Sequence, residues 1–274
     1  MKNILVPIDF SNASHNAGKY AISLAGVFDA NLIFLYAYMP PPVIDEISAS
    51  ALLVSNAELI EGYEEKMEQE IETLIKEKNS KIKKLVREGF ALDIIKEMAL
   101  ENNVDVIVMG MKGKGKSSHT FGSTTTTIIR RTSVPVMVIP ENAVYHSMNK
   151  ITLASDFDAQ TELKRYSLLH ELAKRYNSEI QIVNVQKKEL VLTPGNEIGK
   201  TKTDVAFSDL NHKFYTIEED NIEKGLNKFL ENNPSDILAM VAHKHSYIER
   251  IFGNIHTTKM SYQINIPLLV LQNK

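Results

Sequence analysis

The sequence predicts an α/β fold of two tandem doubly wound domains, each a five-stranded parallel sheet with helices on both faces. Three observations lead there. Short apolar runs alternate with longer helical stretches along the 274 residues, the order expected of strand–helix–strand units. That order then occurs a second time with matching landmarks. Each copy also closes on a continuous apolar run, Val134–Ile139 and Ile266–Leu271, of the kind a parallel strand covered on both faces shows.

The first strand, Ile4–Ile8, leads into Asp9-Phe10-Ser11, and its counterpart, Ile151–Ser155, leads into Asp156-Phe157-Asp158. A helix follows in each copy, Ala13–Phe28 and Thr161–Tyr176, with Ser11 and Asp158 as N-cap residues whose oxygens accept free first-turn N–H groups. The second strands are Asn31–Ala37 and Glu179–Val185. Leu100-Glu101-Asn102-Asn103 matches Leu230-Glu231-Asn232-Asn233, each closing a helix before a buried strand, Val104–Met109 or Asp236–Met240. Phe121-Gly122 then matches Phe252-Gly253.

The offset between copies is 147 residues at Asp9 and Asp156 but 131 at Met109 and Met240, so the second copy lacks 16 residues between its second and fourth strands. The first copy fills that interval with an amphipathic helix, Ala57–Lys78, whose Ile60, Tyr63, Met67, Ile71 and Leu74 share one face. The second copy has Pro194-Gly195 in a polar stretch, which predicts a shorter helix or none. The domains are read as 1–143 and 149–274, joined by a polar segment.

Composition is that of an ordinary globular protein, 43% apolar and 24% charged, with a net charge of −3 that gives no overall pull toward nucleic acid or anionic membrane. The chain has no cysteine, which excludes disulfides, thiol catalysis and thiolate metal sites. The first apolar run is short and broken by Pro7 and Asp9, unlike a signal peptide, and no window of about 20 apolar residues follows. A cytoplasmic protein is expected.

In open parallel sheets ligands bind beyond the carboxyl ends of the strands, where strand order reverses. Two first-copy segments meet there: Pro7-Ile8-Asp9, and Met109-Gly110-Met111-Lys112-Gly113 with the later Gly122-Ser123-Thr124. Glycines let a backbone approach a phosphate and aim N–H groups at it, and a helix opening at Gly122-Ser123 adds the positive end of its dipole.

These segments resemble the universal stress protein family, and the resemblance covers nearly the whole chain. Nucleotide-binding members carry Gly-x2-Gly-x9-Gly-(Ser/Thr) after strand four and an aspartate after strand one. Here Gly110 and Gly113 are followed by eight residues and then Gly122-Ser123, so the spacer is one residue shorter. The resemblance implies ATP or a related adenine nucleotide as ligand, with or without magnesium. It assigns Asp9 and Ala37 to the base and ribose side, Met109 and Gly110 to the pocket wall, and Gly113, Gly122 and Ser123 to the phosphates, with Pro7 and Thr124 also among the nucleotide-binding residues. It also implies pairing of the two copies through their fifth strands within one chain, and a possible homodimer.

Two alternatives overlap this reading. Gly110 to Ser117 satisfies the P-loop pattern Gly-x4-Gly-Lys-Ser, which would make the protein an ATPase or kinase using Lys116. Yet Gly122 interrupts the long helix a P-loop requires, and the motif follows the fourth strand rather than the first. The other alternative is an adaptor that binds no nucleotide. No serine–histidine–aspartate arrangement or paired carboxylates occur at a recognisable spacing, so at most slow ATP hydrolysis is expected and no catalytic residue is assigned.

In the second copy Val241 stands for Gly110, Lys244 for Gly113, and Gly253-Asn254 for Gly122-Ser123. A valine there predicts loss of the phosphate site and a structural or regulatory role for this copy. His243, His245 and His256 lack carboxylate or cysteine companions at ligand spacing and read as a polar loop, so no metal site is assigned.

Overall fold

A computed structural model describes residues 1–40, 46–75, 81–111, 122–186, 193–242 and 265–272, with side chains inside the second range from 56 onward. The first half runs β1 (Asn3–Pro7), α1 (Asn12–Phe28), β2 (Asn31–Tyr38), α2 (Glu46–Leu74), β3 (Ile82–Glu88), α3 (Ala91–Glu101), β4 (Val106–Gly110), α4 (Ser123–Arg131) and β5 (Val136–Ile139). The second runs β6 (Lys150–Ala154), a 3-10 turn Leu163–Tyr166, α5 (Ser167–Tyr176), β7 (Glu179–Gln186), α6 (Pro194–Ala206), β8 (His212–Glu218), α7 (Ile222–Asn232), β9 (Ile237–Ala242) and β10 (Leu268–Gln272).

One ten-stranded sheet results, ordered β3-β2-β1-β4-β5-β10-β9-β6-β7-β8. Each half contributes five parallel strands in the same order, and the halves meet where β5 pairs antiparallel with β10. Strand pleating sends alternate residues to opposite faces. On β1 and β2, Ile4, Val6, Leu32 and Phe34 enter the core on one face, while Leu5, Ile33 and Leu35 enter the core on the other.

Helix α1 starts where the sequence places its cap. The Ser11 hydroxyl accepts from the Ser14 N–H at 3.2 Å, and the Ser14 hydroxyl accepts from the Ser11 N–H at 3.1 Å. Its buried face carries Tyr20 and Leu24 among small residues, Ala13, Ala17, Gly18, Ala21 and Ala25, that let the helix lie close to the sheet. It ends on Asp29 in the left-handed conformation (φ 54°).

Two expectations shift and one holds. The long helix of the first half begins at Glu46 rather than Ala57, because the helical run continues back through Ala49-Ser50-Ala51-Leu52-Leu53 without a proline or glycine to stop it. Its counterpart α6 is indeed shorter, 13 residues against 29, and Pro194 sits in its first turn behind a Thr193 cap. Asp158 is not a helix N-cap: its Oδ1 accepts from the Gln160 N–H at 3.0 Å and closes a turn, and the helix begins only after the 3-10 segment.

At the seam, Val136, Met137 and Val138 face Val270, Leu269 and Leu268, all with no solvent exposure. Outside the sheet, Tyr20 of α1 packs edge-on to Tyr145 of the connecting segment (4.9 Å), whose hydroxyl meets that of Tyr176 on α5 at 2.5 Å. Burial pushes the Tyr20 and Tyr176 phenols well above their ordinary range, so both remain neutral. The Met1 amino group pairs with Glu171 of α5, a further link between the halves.

Leu269→Ala is expected to cost about 2–5 kcal/mol, since it opens a void in a strand with no exposed face. Urea denaturation followed by fluorescence and circular dichroism should show one earlier, still concerted transition rather than loss of the second half alone.

Desolvation pulls the His212 imidazole down, but the Asp204 carboxylate (2.9 Å) and the Leu210 carbonyl (3.1 Å) outweigh it and hold its pKa above the ordinary value. Its stabilising contribution is therefore complete below the unfolded pKa and lost as pH rises through the folded one. An NMR titration should place His212 above free histidine, with Asp204→Asn lowering it.

Candidate functional site

The strand order reverses between β1 and β4, and a cavity of about 360 Å³ opens at their carboxyl ends. Pro7, Asp9, Ala37, Met109, Gly110, Gly122, Ser123 and Thr124 all line it. Gly113 lies outside the described residues, as do Lys112, Lys114, Lys116 and Ser117. Ile8, Ser14, Leu35, Tyr36, Ala91, Ile95 and Thr125 also form the wall and were not singled out from sequence. For Ala91 and Ile95 a signal exists: they lie four apart on an amphipathic helix that starts just after Gly89.

One end of the cavity is apolar. Leu35 and Ala37 project from β2 on the face carrying Met109 of β4, and α3 brings Ala91 and Ile95 over them. A backbone edge is exposed here. The Leu35 carbonyl accepts from the Ile8 N–H (2.9 Å) on the β1 side, and the Tyr38 carbonyl accepts from the Gly89 N–H (2.8 Å) on the β3 side. Along a parallel strand the N–H and C=O of one residue point the same way and alternate with those of the next. Both polar groups of Ala37 therefore face the β1 side, where β1 has already ended at Pro7, and neither is paired among the described residues.

The opposite end is polar. Asp9 Oδ1 accepts from the Ser11 N–H (3.1 Å) and the Ser11 hydroxyl (2.5 Å), which fixes the turn after β1. Phe10 within that turn holds a positive φ of 59°, a conformation that costs energy for an aromatic residue. Its ring is retained by Tyr36 (4.8 Å), itself against Tyr63 (4.7 Å), and by Lys66 of α2 above it (4.3 Å).

Helix α4 points its N-terminus at the cavity, with Gly122 as N-cap. The Gly122 N–H donates to the Met111 carbonyl (2.8 Å), so this glycine does not offer its own donor. The N–H groups of Ser123, Thr124 and Thr125 precede the first intrahelical donor, the Thr126 N–H, and lack partners among the described residues. The buried Thr125 hydroxyl donates to the Gly110 carbonyl at 3.0 Å and ties α4 to the end of β4.

Gly110 is required for a reason other than space for phosphates. A Cβ there would lie 2.7 Å from the carbonyl carbon and oxygen of Ala13, at the start of α1. The glycine thus permits α1 to press on β4. In the second half the equivalent helix begins 11 residues after Asp156, against 3 after Asp9, and Val241 is accommodated and buried. Lys244, Gly253, Asn254 and the three histidines of that region lie outside the described residues. Among those described, no cluster of three or more metal-ligating side chains occurs, and no helix is long and apolar enough to cross a membrane.

Sheet order, helices on both faces and a switch-point cavity together define a tandem doubly wound α/β protein. The chain belongs to the universal stress protein family: the model of that family matches residues 1–140. A universal stress protein of Methanocaldococcus jannaschii is 30% identical over 139 residues, covering 50% of this chain and 81% of its own length. One from Synechocystis is 25% identical over 303 residues and spans 99% of this chain and 100% of its own. The crystal structure of a universal stress protein from Archaeoglobus fulgidus shares the fold at a TM-score of 0.69 and 16% identity, covering 98% of this chain and 96% of that one. The family is one of stress-response proteins.

Gly110→Ala is expected to destabilise the protein by roughly 1–3 kcal/mol, because the two nearest atoms its Cβ meets are backbone and cannot rotate away. Thermal denaturation of the variant measures this directly.

Proposed function

We propose that the first half binds ATP or a related adenine nucleotide in the switch-point cavity, and that the second half is its structural and regulatory partner. In this reading units 1–143 and 149–274 pair through β5 and β10 within one chain, as family members pair between chains, and the protein works in the cytoplasm. The unpaired amide edge of Ala37 is the observation that carries the ligand class. Adenine presents an acceptor at N1 beside a donor at N6, which suits an adjacent N–H and C=O. Guanine presents the reverse pair and is disfavoured.

The rest of the cavity supports the same orientation. Leu35, Ala91, Ile95 and Met109 suit the faces of a base, and Asp9 suits ribose hydroxyls. The first-turn N–H groups of α4 and its dipole suit phosphates. Magnesium, where it accompanies the nucleotide, is held chiefly by the phosphates. No catalytic residue is assigned, so the ligand is read as a regulator, which biases the protein through its differential affinity for two states.

A P-loop enzyme would start its helix at the Lys116-Ser117 pair, whereas α4 starts at Ser123. The two readings separate in one experiment. Isothermal titration should show ATP binding that Asp9→Ala weakens about tenfold or more, for loss of a charge-assisted hydrogen bond. Lys116→Ala should weaken binding only modestly and leave any slow hydrolysis in place. A large loss of turnover in Lys116→Ala would favour the P-loop enzyme, and no binding by the unaltered protein would favour the adaptor.

A further inference from the structure

Phe90 occupies the N-cap position of α3 but makes no side-chain cap hydrogen bond, where serine, threonine, aspartate or asparagine would stabilise the helix. Phe90 is 67% exposed, so the hydrophobic core does not account for it either. The next residue, Ala91, lines the cavity. Met39 follows directly on β2, two residues beyond Ala37, which lines the cavity. Met39 is 54% exposed. The hydrogen bond from the Gly89 N–H to the Tyr38 carbonyl holds the two chain segments side by side. Phe90 and Met39 each follow that link directly, Phe90 next to the lining residue Ala91 and Met39 two residues past the lining residue Ala37.

We infer that Phe90, with Met39, is a specificity-determining wall of the base subsite that covers the outer face of a bound purine ring. This rests on the nucleotide reading proposed above and deepens it. The inner wall offers mainly aliphatic side chains, and the Ala37 edge fixes only the rim of the base. A planar ring held by its edge leaves one face toward solvent unless an apolar group closes over it. An exposed aromatic side chain beside an exposed thioether supplies such a cover: the ring stacks, and the unbranched methionine adapts to the remaining gap. Removing the two side chains from water on binding would add to affinity for the base and nothing to affinity for phosphate.

The test compares ATP with inorganic tripolyphosphate, which carries the charge and lacks the base, on the intact chain by isothermal titration. Phe90→Ala should weaken ATP binding roughly tenfold and leave tripolyphosphate unchanged, with Met39→Ala giving a smaller loss of the same selectivity. The sequence contains no tryptophan, so Phe90→Trp gives a single reporter. Its fluorescence should be quenched by ATP and not by tripolyphosphate. Unchanged ATP affinity in Phe90→Ala, or equal weakening of both ligands, overturns this inference while the nucleotide reading stands. Failure of the unaltered protein to bind ATP overturns both.

Discussion

The close approach of α1 to the sheet sets the geometry of the first half. Ala13 lies so near β4 that only a glycine fits at position 110, and the small residues along the buried face of α1 keep the helix low over the strands behind it. The Ser11–Ser14 capping box fixes where the helix begins, and Asp9 fixes the turn that feeds it. The end of β4, the turn after β1 and the N-terminus of α4 are consequently held within one small volume. The Thr125 hydroxyl on the Gly110 carbonyl joins the first and the last of these directly. A cavity lies where these three chain ends converge at the switch point.

The second half keeps the strand order but relaxes this constraint. Its first helix starts later, behind a 3-10 turn, and the loop after β6 is instead clamped by α6. Gly199 of α6 has no room for a Cβ because the Phe157 carbonyl lies against it, and the Asn196 side chain donates to the Asp156 carbonyl at 3.1 Å. Close packing at a glycine is thus present in both halves, with α1 on β4 in the first and α6 on the loop after β6 in the second. The two sheets share one seam, where six fully buried side chains of β5 and β10 alternate between two continuous cores. Buried strand edges of this kind avoid the exposed ladder groups that would otherwise invite association.

The repeat was legible because hydrophobic periodicity is a local property. Apolar runs, the Asp-Phe landmarks after β1 and β6, and the missing residues between the second and fourth strands can all be read along the chain. Ser11 and the Gly122-Ser123 helix start were legible for the same reason, since a cap depends on its own few neighbours. Asp158 has the same residue chemistry as a cap but serves a turn, because tertiary contacts with α6 hold its loop away from helical geometry. Local propensity proposes a start, and packing decides whether it is used.

The sequence by itself determined the fold class, the duplication, the family and the segments that meet at the switch point, since all of these follow from spacing and residue type. Only the tertiary structure decided why each residue is there. Gly110 owes its identity to Ala13, a residue 97 positions away, which no local pattern could reveal. The unpaired edge of Ala37 exists because β1 stops two residues short of the register that would cover it. Ser14, Ala91 and Ile95 reach the cavity only because α1 and α3 pack on opposite faces of the same strands. A contact between distant segments depends on how the helices lie on the sheet, and that arrangement is settled by the packing of the whole chain.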